Sequence, residues 1–245
     1  PQTLSGKNPT YTFATPGTYT VTLEVTDPAG NSATDTVTIT VLDVTDPVAN
    51  AGSDRTVNED VSTTLDGSGS VDNVGITGYT WTFTDVTVKT LNGDKPAYTF
   101  SNPGVYTITL NVTDAAGNWA TDTVIVTVKD ITKPVANAGQ DQTVNAGTSV
   151  SLDAGGSTDN VGIVSYEWDF GDGEKAMGIT TTHTYANLGT YTVTLTVKDS
   201  AGNSATHSIT VTVKSAEAPP EQPAEAFPVW IVGAGTAITI IGIAL

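Results

Sequence analysis

A long internal repeat constrains the fold of this chain more than any other feature of its sequence. The hexapeptide PVANAG begins at residue 47 and again at residue 134, a spacing of 87 positions. The segment PGTYTVTLEVTDPAGNSATDT at 16–36 returns with substitutions at 103–123 and again at 188–208. A period of this length indicates small domains in series rather than one large core. Each unit has about the size of one β-sandwich domain.

Apolar and polar residues alternate within each repeat. Tyr19, Val21 and Leu23 alternate with threonine and glutamate, and the same pattern recurs at 106–112 and 191–197. A period of two with many β-branched residues is typical of a half-buried strand. We expect its aliphatic face to point toward a core and its threonine face toward water.

Each of these strands is followed by the motif Asp-x-x-Gly-Asn, at 27–31, 114–118 and 199–203. Asp and Asn bond to nearby backbone and Gly accepts a positive φ, so the motif predicts a tight turn between antiparallel strands. A second alternating strand follows each turn, and no segment before residue 215 has a helical period. The sequence therefore predicts an all-β fold of tandem β-sandwiches, with about seven strands in each complete unit.

The repeat also predicts the domain boundaries. The segment TLSGKNPTYTF at 3–13 aligns with TLNGDKPAYTF at 90–100, so the first unit lacks its N-terminal half. We therefore expect the chain to be the C-terminal part of a longer protein whose export signal is lost or lies outside this segment. We assign residues 1–44 to the half repeat, 45–131 and 132–214 to complete repeats, 215–226 to a Pro/Ala/Glu-rich linker and 227–245 to a transmembrane helix.

The C-terminal segment FPVWIVGAGTAITIIGIAL at 227–245 contains no charged residue. As a helix it would reach about 28 Å, which is close to the thickness of a hydrocarbon core. Gly235, Thr239 and Gly242 would form one small-residue face on that helix, which permits close packing against a partner helix or a second copy. We expect a single-pass membrane protein whose repeats lie outside the cell.

Charge excludes some partners. The chain has 9 Lys and Arg against 26 Asp and Glu, for a net charge of −17. Such a field repels nucleic acid and attracts divalent cations, although it also serves solubility. The absence of Cys excludes disulfides and thiolate metal sites.

Catalytic residue types are scarce. His183 and His207 are the two histidines, and each takes a place that other residue types hold in the other repeats. No nucleophile, base and oxyanion hole can be assembled, so we expect no catalysis in this chain. Trp81 and Trp168 are interpreted as core residues rather than sugar-stacking ones. Trp119 follows a turn and is a candidate exposed contact residue.

Acidic and amide side chains cluster near the N-terminal junction of each complete repeat. Calcium takes about six to eight oxygen ligands of these types. Turn chemistry at Asp72 and Asp159 remains an alternative, as it does for the Asp-x-x-Gly-Asn motifs. Lys133 replaces Asp46 at the second junction and weakens that site. The predicted calcium ligands are Asp43, Asp46, Asn50, Asp72 and Asn73 at the first junction and Asp130, Asn137, Asp159 and Asn160 at the second.

One N-glycosylation sequon is intact, at Asn111-Val112-Thr113. Asn111 falls on the outward phase of its predicted strand, so a glycan could be attached there.

The third repeat contains LDAGGSTDNVGIVSYEWDFGDG at 152–173, and Asp-Phe-Gly-Asp-Gly after Trp168 is its most specific part. This pattern resembles the PKD domain, an Ig-like β-sandwich first named from polycystin. The second repeat keeps LDGSGSVDNVGI at 65–76 but has Thr-Phe-Thr-Asp-Val at 82–86 in place of the glycine turn. A hyalin-type repeat shares some of these elements and implies the same architecture.

The resemblance implies non-catalytic modules of cell-surface and secreted proteins, some of which bind calcium at comparable positions. We therefore expect an extracellular stalk of a membrane-anchored surface or envelope protein that provides spacing and contacts to other surface proteins. One alternative is a carbohydrate-binding or adhesion module that serves an upstream hydrolase. Another is an accessory single-helix subunit of a membrane protein complex.

Overall fold

A computed structural model describes residues 2–216 of the chain. All regular elements in this range are β-strands, and they form one hairpin followed by two sandwich domains. Among these residues no helix is long and apolar enough to cross a membrane. The predicted membrane helix at 227–245, with Gly235, Thr239 and Gly242, lies outside the described residues, as does most of the predicted linker.

The first repeat is an antiparallel hairpin of β1 (Gly17–Thr26) and β2 (Ser32–Val41). Its aliphatic face is open to solvent, with Leu23 60% exposed. The equivalent residue of the second repeat, Leu110, is completely buried. The same strand pattern therefore yields a core only where further strands of the repeat cover it.

The second domain has seven strands in two sheets. The larger sheet has the order β3-β9-β8-β5-β6, in which β3 runs parallel to β9 and the other pairs are antiparallel; the smaller sheet pairs β4 with β7. The strands are β3 (Arg55–Asn58), β4 (Ser62–Thr64), β5 (Ile76–Asp85), β6 (Thr87–Asn92), β7 (Ala97–Thr99), β8 (Gly104–Asp114) and β9 (Trp119–Lys129).

The third domain repeats this topology, with the sheets β10-β16-β15-β12-β13 and β11-β14. The prediction of an all-β tandem sandwich is confirmed for the described residues. The strands are β10 (Gln142–Asn145), β11 (Ser149–Asp153), β12 (Ile163–Asp169), β13 (Lys175–Met177), β14 (Thr180–Thr184), β15 (Gly189–Asp199) and β16 (Ser204–Lys214).

A fully buried tryptophan lies in the core of each complete domain. The indole N–H of Trp81 donates to the carbonyl of Gly93 at 3.1 Å, and that of Trp168 donates to Gly178 at 3.0 Å. The indole is thereby both buried and satisfied, as a large aromatic with one polar atom requires. The interpretation of both residues as core is confirmed, and neither is available to stack on a sugar.

Candidate metal centres at the domain junctions

The structure brings three carboxylates together at each domain junction. Asp43, Asp72 and Asp114 each offer an oxygen, and these oxygens lie within 4.8 Å of one another. Asp130, Asp159 and Asp199 form the equivalent group before the third domain, with the same spacing limit. We call these groups the first and the second junction cluster. Oxygens this close suit a hard divalent cation, which requires several oxygen ligands around one centre.

The strand-end aspartate of each cluster belongs to the Asp-x-x-Gly-Asn turn. Asp114 Oδ1 accepts the backbone N–H groups of Ala116, Gly117 and Asn118 at 2.7–2.9 Å. Burial by itself raises the pKa of Asp114, but the hydrogen bonds from Asn118 and the turn backbone outweigh it and hold that pKa below the usual value. Asp114 is thus a buried side chain, 5% exposed, with a lowered pKa. A cation could neutralise its charge.

The turn aspartates Asp72 and Asp159 each use one oxygen to hold a turn. Oδ2 of Asp72 accepts N–H groups from Val74 and Gly75, both at 2.8 Å. Oδ2 of Asp159 accepts the N–H groups of Val161 and Gly162, at 2.9 and 2.8 Å. The other oxygen of each, Oδ1, is buried and has no hydrogen-bond partner among the described residues. Turn chemistry thus accounts for one oxygen of each carboxylate and leaves the other oxygen without a partner.

The linker aspartates show the same division. Oδ1 of Asp43 accepts the N–H of Thr45 at 3.2 Å, and Oδ1 of Asp130 accepts that of Thr132 at 3.0 Å. Oδ2 of each is buried and has no partner in the described part of the chain. An unpaired buried carboxylate oxygen costs about 1–3 kcal/mol or more. Each cluster therefore presents two free carboxylate oxygens that a cation would satisfy.

The clusters overlap the predicted calcium ligands only in part. Asp43, Asp72, Asp130 and Asp159 come together as predicted, whereas Asp46 is not a member of either group. The amides of Asn50 and Asn137 are used locally: their Oδ1 atoms accept the N–H groups two residues on, both at 2.9 Å. The amide of Asn73 donates to Asp43 Oδ1 at 3.1 Å, and that of Asn160 donates to Glu59.

Asp114 and Asp199 were not among the predicted calcium ligands, because turn chemistry was the favoured explanation of their motif. The antiparallel pairing of β5 with β8 was the signal that could have found them. The last residue of β8, Asp114, pairs with the first residue of β5, Ile76. The turn at Asp72 directly precedes β5, so the two carboxylates must share one end of the sheet. The same relation pairs Asp199 with Ile163 in the third domain.

A fourth acidic side chain, Glu59, lies beside the second cluster, and sequence reasoning also missed it. It comes from the turn after β3 in the second domain and is only 1% exposed. Burial by itself raises the pKa of Glu59, but donors from Thr132 and Ile131 outweigh it and keep that pKa below the usual value. Burial and the neighbouring Glu59 carboxylate raise the pKa of Asp130. The first cluster has no such neighbour among residues 2–216.

The two histidines have structural partners. His183 Nε2 lies 2.7 Å from Asp172 Oδ2, and its ring stacks on Phe170 at 4.0 Å. His207 Nδ1 accepts the N–H of Ala138 at 2.9 Å. Both rings are thus engaged in the fold of the third domain.

The remaining candidate residues lie on the surface of the second domain. Asn111 is half-buried on β8, between Thr80 on β5 and Thr121 on β9, with its side chain on the outward face as predicted. Trp119 begins β9 and is 59% exposed. Its exposure leaves its interpretation as a contact residue open.

The described architecture is that of tandem Ig-like β-sandwiches. The sequence model of the PKD domain matches residues 2–41, 44–128 and 131–213. The chain therefore belongs to the PKD domain family, and the resemblance drawn from its motifs is confirmed.

Named relatives also contain matching regions. The chain is 38% identical over 201 residues to the mouse dyslexia-associated protein KIAA0319-like protein, which covers 75% of this chain and 19% of that protein. It is 31% identical over 148 residues to chitinase A1 of Niallia circulans, covering 56% of this chain and 21% of that one. The chain thus spans about a fifth of the length of these curated relatives.

Among solved structures, the PKD1 domain of the Vibrio cholerae metalloprotease PrtV is 39% identical. That alignment covers 34% of this chain and 100% of that domain, with a TM-score of 0.31.

Proposed function

We propose that this chain is a non-catalytic spacer of a membrane-anchored cell-surface or envelope protein, with its PKD domains outside the cell. It holds other parts of the protein away from the membrane and contacts neighbouring surface proteins. The observation that carries the proposal is the pair of short junctions, in which Asp43 or Asp130 of the linker is hydrogen-bonded to the domain that follows. A series of small domains joined without flexible linkers acts as a semi-rigid rod.

Several features of the sequence support the surface location. The uncharged segment at 227–245 has the length of a membrane span, and the net charge of −17 suits a crowded exterior surface. As a helix, that segment would present Gly235, Thr239 and Gly242 on one small-residue face, which would allow a partner helix or a second copy to pack closely.

We further propose that the junction clusters bind calcium and thereby stiffen the rod. Each cluster combines a linker aspartate with two aspartates of the following domain, so one ion would tie the linker to that domain. The free oxygens are Asp43 Oδ2 and Asp72 Oδ1 at the first junction and Asp130 Oδ2 and Asp159 Oδ1 at the second. Backbone carbonyls and water would complete the coordination.

Thermal unfolding of the full chain in calcium and in chelator tests this proposal. We expect calcium to raise the melting temperature by about 5 °C or more when it is well above the dissociation constant. Asp43→Asn and Asp130→Asn should each reduce that gain, because asparagine keeps an acceptor for the linker N–H but replaces the free oxygen. Asp54→Asn is a matched control, because it removes one negative charge in the same way. Asp54 accepts the N–H of Ile125 and belongs to neither cluster.

An unchanged melting temperature in chelator would show that calcium has no structural role in these domains. An equal response from Asp43→Asn, Asp130→Asn and Asp54→Asn would show that calcium acts through overall charge instead of the clusters. Fractionation of expressing cells without detergent tests the membrane anchor, because recovery of the chain in the soluble fraction, away from the membranes, contradicts it.

A second candidate function is an accessory module of a hydrolase. The observation that favours it is the similarity to chitinase A1, a hydrolase by name, over 56% of this chain. In this case the exposed indole of Trp119 is the contact residue that would stack on a glycan. A glycan-binding screen with the native chain and Trp119→Ala separates the two functions. A spacer predicts the same result for both proteins, whereas a glycan-binding module predicts weaker binding by Trp119→Ala.

A further inference from the structure

The side chain of Glu59 crosses from the second domain into the third. Its Oε1 atom accepts the backbone N–H of Ile131 at 2.9 Å and both the N–H and the hydroxyl of Thr132, at 2.8 and 2.6 Å. Its Oε2 atom accepts the amide of Asn160 at 2.8 Å, a residue 101 positions away. One buried carboxylate is thus held by four donors, all of which belong to the linker and the following domain.

The turn that carries Glu59 is fixed within its own domain. The N–H of Glu59 donates to the carbonyl of Lys129 at 3.0 Å, and that of Asp60 donates to Phe100 at 2.8 Å. Since the turn that carries Glu59 is held by its own domain, the carboxylate connects that domain to the linker and to Asn160 of the third domain. Hydrogen bonds to a charged group are among the stronger ones in proteins.

The fold does not require a glutamate at this position. Ala146 occupies the same turn in the third domain, where its N–H donates to Lys214 in the same way, at 2.9 Å. The turn therefore folds equally with alanine, and the glutamate is present on the domain that is followed by another one. Its four donors all lie beyond β9, the last strand of that domain, which indicates that the residue serves the joint.

The receiving residues also occur at the head of the second domain, as Val44, Thr45 and Asn73. There Asn73 donates to Asp43 instead. The hairpin that precedes this junction has no turn equivalent to that of Glu59 among the described residues, so Thr45 and Asn73 receive no carboxylate from it. The buried carboxylate contact therefore occurs at the second junction and not at the first among the described residues.

We propose that Glu59 is the docking determinant that holds the second and third PKD domains in one fixed relative orientation. The partner surface is defined by its chemistry: two consecutive linker N–H groups, a threonine hydroxyl and an asparagine amide that together receive one carboxylate. The proposal deepens the spacer function and rests on it for its purpose, but the contact itself requires no cation.

Interdomain distances between spin labels test the joint directly. The chain contains no Cys, so Val88→Cys on the second domain and Met177→Cys on the third provide two unique labels. Both positions are exposed, at 72% and 67%. The distances are measured by pulsed electron paramagnetic resonance on the full chain in chelator. We expect one narrow distribution, and at least a doubling of its width in Glu59→Ala.

Variants on the receiving side provide an independent arm. Asn160→Ala should broaden the distribution as well, and adding it to Glu59→Ala should produce little further change, because both remove the same contact. Asn73→Ala is the matched control at the first junction and should leave the distribution narrow. Hydrogen exchange of the two domains verifies that each variant remains folded.

A distribution that stays narrow in Glu59→Ala and in Asn160→Ala, with both domains folded, would overturn the proposal. If Glu59→Ala loses protection throughout the second domain, Asn160→Ala decides alone: a broadened distribution supports the joint and a narrow one overturns it. Since the labels are read in chelator, a failure of the calcium experiment leaves this result unaffected.

Discussion

The second and third domains share one topology but differ in the turn that follows the buried tryptophan. In the second domain β5 continues to Asp85, and Val86 turns the chain with a φ of 60° before β6 begins. In the third domain β12 ends earlier, at Asp169, and Gly171 and Gly173 take the positive φ values. Two different backbone solutions thus connect the same pair of strands.

What both turns preserve is an aspartate bonded to a ring. Asp85 Oδ2 accepts the hydroxyl of Tyr98 at 2.8 Å, and Asp172 Oδ2 meets His183 Nε2 at 2.7 Å. The ring in each case packs on the phenylalanine of its turn, Phe83 or Phe170. The turn after the buried tryptophan therefore keeps an aspartate and an aromatic ring that bonds to it. Whether the turn contains glycine depends on the backbone path that each domain takes.

A second exchange follows the same rule. Asp122 Oδ2 accepts the N–H of Ala51 at 2.8 Å, and at the equivalent place His207 Nδ1 accepts the N–H of Ala138 at 2.9 Å. Residue types that look unrelated in the aligned repeats therefore perform one task, which is to satisfy a buried backbone donor.

Gly171 offers the test of this comparison with the largest expected effect. A Cβ at this position would lie 2.5 Å from the carbonyl oxygen of Thr192, and its φ of 78° disfavours any other residue. We expect Gly171→Ala to destabilise the third domain by about 3 kcal/mol, since backbone strain and a backbone clash act together. The equivalent residue of the second domain is Thr84, an exposed strand residue, so Thr84→Ala should change stability by less than about 0.5 kcal/mol.

Hydrogen exchange resolved by domain measures both changes in the full chain. Equal losses of protection in Gly171→Ala and Thr84→Ala would contradict the view that the two turns have different backbone requirements.

His183 gives a smaller effect and a pH dependence. Burial by itself raises the pKa of Asp172, but the hydrogen bond from His183 and the N–H of Glu174 outweigh it and hold that pKa below its ordinary value of 3.8. A lowered pKa in the folded state means that this contact contributes its full stability above pH 3.8 and loses it as the pH falls further. His183→Phe should cost the third domain about 1–2 kcal/mol at neutral pH, because one hydrogen bond to a carboxylate is lost.

Chemical denaturation of the native chain and of His183→Phe at several pH values checks this prediction. The difference in unfolding free energy should shrink as the pH falls below 3.8. A difference that stays constant through the acidic range would show that ring packing, and not the carboxylate, is responsible.

The fold was predictable because its determinants repeat along the sequence. Alternating residues such as Tyr106 and Ile108 and the Asp-x-x-Gly-Asn turns specify strands and turns locally, and Trp168 specifies the core. The junction clusters were predictable only in part, because Asp114 joins Asp72 through strand pairing, which a linear reading of turns does not include. Glu59 was not predictable at all, since its donors lie across a domain boundary and one of them is 101 positions away.

Val86 provides the smallest and most specific test. A β-branched residue at a φ of 60° is strained by about 1–2 kcal/mol, and its side chain is 87% exposed, so packing returns little of this cost. Val86→Gly removes the strain but adds freedom to the unfolded chain, for a net gain of up to about 1 kcal/mol in the second domain. Thermal unfolding should show a melting temperature higher by a few degrees.

Val88→Gly, on the neighbouring strand and also exposed, is the matched control and should lower the melting temperature, because glycine is unfavourable in a strand. A loss of stability in Val86→Gly would mean that the valine is held at this turn by a contact that the strain argument omits.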